Sequence, residues 1–316
     1  MGAGALQCAA VPAPPYDEFG LLRENAEEYG LPWSGPPPVT RVSIEVEPAR
    51  HASSLVWGTE GHEAELVLLH GGAQNAHTWD TVALALSRPL VAVDLPGHGR
   101  SDWRPDHAYS LSSNAGDVAR VIDALAPHGR AVVGMSLGGL TAIALSARRP
   151  DLVGRLALVD VTPGVDREKA EPVISFVSGP ESFASFEEIL ERTIRFNPGR
   201  SEASLRRGVL HNAEERADGR WTWRWDPVRD RSGDVLSGAA GLWEDLGRLE
   251  APLLLVRGSE SSVVSDDDVA ELLRRRPDAI VEVIEGAGHS VQGDRPIELA
   301  HALVRFLGPE GGRVVA

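Results

Sequence analysis

Short runs of consecutive apolar residues alternate along this chain with longer segments in which apolar positions recur every three or four residues. Residues 65–69 (ELVLL), 90–93 (LVAV), 131–133 (AVV), 156–161 (LALVDV), 252–256 (PLLLV) and 280–284 (IVEVI) are the short runs. Predominantly apolar runs of this length read as strands buried on both faces. Residues 83–86, 111–126, 140–147, 266–275 and 297–307 carry helical spacing instead. Ahead of them, residues 40–47 (TRVSIEVE) alternate, and 53–58 (SSLVWG) follow a turn. These two read as an antiparallel pair at a sheet edge. Buried strands alternating with amphipathic helices predict an α/β fold, a mostly parallel sheet covered on both faces.

The rhythm breaks between residues 162 and 247. That segment is charged, holds Pro172 and Pro198, and concentrates Trp221, Trp223 and Trp225. Helical spacing is visible over 183–196 and 201–212, and no buried strand is read there. The expectation is a helical cap inserted over the carboxyl edge of the sheet. At the other end, Pro12, Pro14 and Pro15 keep the chain irregular, residues 17–29 can form one amphipathic helix, and Gly35-Pro36-Pro37-Pro38 is a stiff linker. The organisation read from these shifts is an N-terminal extension (1–38) strapped onto the core, a first core part (39–161), the cap (162–247) and a second core part (248–316).

Composition narrows the classes. With 316 residues and 42% hydrophobic content the chain suits one α/β core plus an insertion. A net charge of −15 argues against nucleic acid or an anionic membrane as partner. Lys169 is the only lysine among 31 basic residues, which reads as codon usage. Cys8 is the single cysteine, so no intrachain disulfide forms and a reducing compartment suits the chain. The N-terminus lacks a basic region before an apolar stretch, and no apolar run approaches a membrane span. A cytoplasmic location is expected.

Chemistry gathers around residues 130–147 (RAVVGMSLGGLTAIALSA), a strand, a sharp turn and a helix with Ser136 at the turn. A nucleophile elbow strains the serine backbone and brings strand and helix close together, so flanking side chains must be absent. Gly134, Gly138 and Gly139 meet that need. The turn lifts the Ser136 hydroxyl to a helix N-terminus, where an oxyanion is favoured. In parallel sheets, sites form at the carboxyl ends of strands. Loops leave such ends at 70–75, 134–139, 160–164 and after Val256, and 285–290 follows the last strand. In that final loop, glycines allow the chain to turn inward and present His289 as a base.

With these residues in hand, the stretch 40–307 resembles the α/β-hydrolase superfamily. The resemblance rests on His70-Gly71-Gly72, Asp94-Leu95-Pro96-Gly97-His98-Gly99, Gly134-Met135-Ser136-Leu137-Gly138-Gly139 and Gly286-Ala287-Gly288-His289. It implies an eight-stranded, mostly parallel sheet with a serine, an acid and a histidine in that chain order. It also implies an oxyanion hole from the backbone N–H of Leu137 and of Gly72, with Ala73 second to Gly72. His70 and His98 are expected to be structural parts of their turns.

The acid departs from the commonest pattern of the family. The usual slot, after strand seven, offers only Glu260, because Asp266, Asp267 and Asp268 read as the cap and first turn of a helix. The other slot is the end of strand six, where Asp160 sits. A carboxylate in an apolar buried strand is costly unless partnered, and orienting His289 would partner it. Such placement resembles haloalkane dehalogenases and acetamidomethylene-succinate hydrolases, and Asp160 is preferred over Glu260. A dehalogenase would need a carboxylate where Ser136 stands, so that activity is not expected. No phosphate loop is present, no histidine or cysteine spacing suggests a metal, and no cofactor is implied. Trp79, Trp103 and the cap tryptophans read as packing, and His77 is not assigned to the pocket. The expected reaction is acyl transfer to Ser136 from a small carbonyl substrate, a carboxylic ester or lactone, followed by hydrolysis. Amide or C–C bond hydrolysis on the same groups, or a slow-turnover ligand-binding module, are the alternatives.

Overall fold

The computed structural model describes residues 16–59, 61, 63–129, 131–227, 238–308 and 313–316. Cys8 and the prolines at 12, 14 and 15 lie outside them. Strands β1 (Val39–Glu47), β2 (Arg50–Trp57), β3 (Leu66–Leu69), β4 (Leu90–Val93), β5 (Ala131–Met135) and β6 (Leu156–Val159) come first in the chain. Three short strands follow in the cap: β7 (Ser182–Phe183), β8 (Ala213–Glu215) and β9 (Trp221–Trp223). Strands β10 (Leu253–Gly258) and β11 (Ile280–Ile284) complete the core.

Eight of these form one sheet in the order β1-β2-β4-β3-β5-β6-β10-β11. β2 pairs antiparallel with both β1 and β4, and every other neighbour is parallel. Side-chain alternation divides the strands between two apolar layers. Val67, Leu69, Leu156, Leu158, Leu253 and Leu255 face the helices Leu111–Leu125, Leu137–Arg148 and Leu242–Arg248. Leu66, Leu68, Ala157, Val159, Leu254 and Val256 face Asp80–Leu86 and Pro296–Leu307. Most strands are buried on both faces, which is why they read as unbroken apolar runs. The N-terminal helix is shorter than its sequence pattern, Leu22–Glu28, but it does strap the core: Leu22 and Ala26 are fully buried in the second layer with Trp79.

The cap differs from the sequence expectation in one respect. Beside the helices Glu171–Val177, Phe186–Phe196 and Glu202–Asn212 it contains a small antiparallel sheet, β7-β9-β8. Trp221 and Trp223 of β9 are buried against Phe183 and Phe186. Strands of two or three residues are too short to show a period, so the sequence signal was dominated by the helices. Lys169 fastens the start of the cap. Its Nζ donates to both oxygens of Asp268 (2.9 and 2.8 Å) and to Gly164 O (3.0 Å).

Candidate active site

The site begins where β5 ends. Ser136 takes φ 50° and ψ −118° between Met135 and the helix starting at Leu137. This left-handed strain on a non-glycine residue is held by close packing on both sides. A Cβ on Gly134 would lie 2.5 Å from the carbonyl of Gly138, and one on Gly138 would lie 2.3 Å from Leu69 O. Only glycine fits, so the sequence pattern around Ser136 reports a steric requirement. As the first helical residue, Leu137 has no carbonyl in its own helix for its N–H to meet.

The loop after β3 abuts the same turn: a Cβ on Gly71 would touch Met135 Sδ at 2.4 Å and Ser136 Cβ at 3.3 Å. Within this loop, Gly71 N–H donates to Gln74 Oε1 (3.0 Å) and Ala73 N–H to His98 Nε2 (3.2 Å). Of these three successive amides, that of Gly72 is the one with no acceptor among the described residues. His70 and His98 are buried parts of their turns. His70 Nε2 accepts from Leu95 N–H (2.9 Å), and the Nδ1 atoms meet the carbonyls of Gly71 (2.7 Å) and Pro96 (3.1 Å).

Asp160 follows directly after β6, with φ 51° and no solvent exposure. Its Oδ2 accepts from His289 Nδ1–H at 2.7 Å and also from the Ser261 hydroxyl. Its Oδ1 accepts from Gly258 N–H at 3.0 Å. The buried carboxylate is thus satisfied on both oxygens. Glu260 is placed differently. Its side chain is exposed, and its backbone N–H serves the loop through Ala287 O (2.9 Å). Asp266, Asp267 and Asp268 form the first turn of the helix Asp266–Arg275 as read, but the cap is Ser265, whose side chain accepts from Asp268 N–H while its own N–H donates to the Asp268 carboxylate.

Ser136, Gly72, His289 and Ser290 line one cavity of about 540 Å³ under the cap. Its apolar wall includes Phe176, Val177 and Trp223, so one cap tryptophan does face the pocket. Trp225 packs behind it, the two rings stacked at 4.4 Å, while Trp103 is 44% exposed rather than packed. The polar wall includes Gln292, whose Nε2 bonds Gln74, Thr78 and Ser290.

Sequence reasoning missed a buried ionic cluster at the edge of this cavity. His77 lines the pocket, its Nδ1 2.9 Å from Asp80 Oδ2 and its Nε2 3.2 Å from Glu18 Oε1. Burial pulls the His77 ring toward neutrality, but Asp80 and Glu18 outweigh it and raise its pKa to about 9. His211 stacks on it at 3.8 Å and is driven the other way, first by burial and then by the charge on His77. His77, Asp80 and His211 are of a type that can ligate a metal. However, the two rings are stacked nearly parallel, 11° apart, whereas imidazole lone pairs lie in the ring plane. An imidazolium between two carboxylates accounts for the cluster as it stands. Its members come from three separate stretches of the chain, and only the i, i+3 spacing of His77 and Asp80 offered a local signal.

A mostly parallel eight-stranded sheet, a strained serine at a strand-to-helix turn and a histidine after the last strand define the α/β hydrolase class, and the chain belongs to the α/β hydrolase family, whose model matches residues 66–302. Among individual proteins, the esterase Rv0045c of Mycobacterium tuberculosis is 48% identical over 287 residues, covering 89% of this chain and 92% of that one. A solved structure of that esterase superposes with a TM-score of 0.82 at 46% identity, covering 93% of this chain and 99% of the other. The 3-hydroxybutyrate-oligomer hydrolase of Cupriavidus necator is 28% identical over 267 residues, 80% of this chain and 91% of its own. The structure of E-2-(acetamidomethylene)succinate hydrolase shares the fold, with a TM-score of 0.75 at 24% identity over 85% of this chain and 99% of that chain.

Proposed function

We propose that this protein hydrolyses small-molecule carboxylic esters or lactones through an acyl-enzyme on Ser136. The observation that carries the reading is the hydrogen bond from His289 Nδ1–H to the buried Asp160, on a loop that shares one cavity with the strained serine. With Nδ1–H donating to Asp160, the other ring nitrogen is the basic one. It would take the Ser136 proton as the hydroxyl attacks the carbonyl, then deliver that proton to the leaving alcohol. The N–H groups of Leu137 and Gly72 would hold the tetrahedral oxyanion, worth about 3–4 kcal/mol per donor in the transition state. Water would then cleave the acyl-enzyme by the reverse proton path. Asp160 fixes the tautomer and balances the imidazolium.

The esterase activity named for the 48% identical relative and the ester-cleaving name of the 28% identical one support this reading. The natural partner is then a small-molecule carbonyl compound, and none of the residues assigned here needs a cofactor. Among the described residues no helix is long and apolar enough to cross a membrane. The reading is tested by nitrophenol release from short-chain p-nitrophenyl esters. Wild type should turn them over, and Ser136→Ala should be slower by about a millionfold. Equal rates for the two would remove Ser136 from the chemistry.

A further inference from the structure

One cation in the cavity is only partly paired. Arg200 sits in the cap between the helices Phe186–Phe196 and Glu202–Asn212 and lines the cavity that holds Ser136 and His289. Its guanidinium reaches across to the core and lies against Gly293, where a Cβ would come within 2.7 Å of Cζ and Nη1. Among the described residues its one hydrogen bond is from Nη2 to Ser204 Oγ, at 2.8 Å. Its Nε is buried without a partner. Asp294 Oδ1 stands 3.8 Å from that Nε, beyond hydrogen-bond reach, and Asp294 Oδ2 already accepts from Gly288 N–H at 2.9 Å. Even so, 21% of the Arg200 side chain remains exposed.

Arg207, in the same cavity wall, makes the contrast. Its Nε donates to Asn25 Oδ1 at 2.9 Å, its Nη2 meets Glu28, and only 4% of its side chain is exposed. Arg207 is satisfied by the protein and Arg200 is not. Burial lowers the Arg200 pKa by more than Asp294 restores, which marks an under-compensated charge. A guanidinium with free donors is complementary to a planar anion, above all a carboxylate that it can grip with two N–H groups.

We propose that Arg200 is a carboxylate-recognition site, and that the substrate is an ester carrying a free carboxylate a few bonds from the cleaved carbonyl. This rests on the hydrolase reading of Ser136 and names its substrate class. The apolar wall of Phe176, Val177 and Trp223 would receive the uncharged part. A net charge of −15 repels anions in general, so any preference for an anionic ester must come from a local site.

The test compares matched esters. Mono-4-nitrophenyl glutarate is set against 4-nitrophenyl pentanoate for a carboxylate on the acyl side. For the alcohol side, 3-acetoxypropanoate is set against 3-acetoxypropanamide. Wild type should favour the anionic member of one pair by about tenfold or more in kcat/KM. Arg200→Met should bring that ratio to one or below, and Arg200→Lys should keep part of it, since lysine supplies the charge without the fork. No anionic preference in either pair overturns the proposal. So does an Arg200→Met protein whose rates fall equally for both members, which is the behaviour of a latch between cap and core. Failure of wild type to cleave any of the four esters would instead overturn the hydrolase reading, and this inference with it.

Discussion

Asp160 Oδ2 lies 2.7 Å from His289 Nδ1, although 129 residues separate the two and the acid emerges after β6 rather than after β10. The neighbouring strand completes the arrangement. Gly258, at the end of β10, donates its N–H to Asp160 Oδ1, and Ser261 in the following loop donates to Oδ2. The end of β10 and the loop after it therefore hold a carboxylate that comes from the strand beside them.

Substitutions at the two acids should separate sharply. Asp160→Asn keeps the shape but reverses the polarity of the contact with Nδ1, and kcat should fall by about ten-thousandfold. Glu260→Gln, at an exposed position, should leave kcat within about threefold of wild type. Steady-state kinetics on one p-nitrophenyl ester checks both. A larger loss in Glu260→Gln than in Asp160→Asn would reverse the assignment.

Steric closure at the elbow predicts a folding defect. Gly138→Ala places a methyl 2.3 Å from Leu69 O and 2.7 Å from His70 O, both backbone atoms that cannot swing aside. The variant should lose about 3 kcal/mol or more of stability. Urea unfolding followed by tryptophan fluorescence measures it. A loss under about 1 kcal/mol would show that strand and helix are not in close contact there.

The Glu18–His77–Asp80 cluster predicts a stability optimum in pH. The folded pKa of His77, near 9, is above its ordinary value of 6.5, so its contribution is complete below about 6.5 and is lost as pH rises through 9. Burial would raise the Glu18 carboxyl, but His77 and Arg41 bring it down to about 2, so its contribution is present above about 4.5 and is lost as pH falls toward 2. Tyr16, Arg41 and His211 also face this cluster. Burial holds His211 neutral well below its ordinary value, so it subtracts stability as pH falls below 6.5, whereas His77 is the one of these groups that changes charge between pH 6.5 and 9.5, and stability from the cluster should fall over that range. Melting temperature should fall more steeply from pH 6.5 to 9.5 in wild type than in His77→Gln. Parallel curves over that range would refute the charged state of His77.

How much of this was legible in the sequence depends on how local each signal is. The central strands of the core, β3 to β6 and β10, are buried on both faces and read directly as apolar runs, whereas β1 and β11 at the sheet edges are partly exposed. Ser136 and its glycines were legible because their constraint is steric and lies within five residues. Asp160 was readable only as a carboxylate in an apolar run, and its advantage over Glu260 depends on which strand lies next to β10. The cap sheet escaped because its strands are too short for a period. Arg200 escaped because what matters is its reach across to Gly293, and the His77 cluster because Glu18 and His211 join it, all of them distant in the chain.

The most direct test of the account is covalent capture of the nucleophile. Diethyl p-nitrophenyl phosphate should modify wild type at one site, release one equivalent of nitrophenol, and add one diethylphosphoryl group to the peptide containing Ser136. Ser136→Ala should remain unmodified, and Asp160→Asn should react far more slowly. Stoichiometric labelling of a residue other than Ser136, or equal labelling of Ser136→Ala, would contradict the central claim.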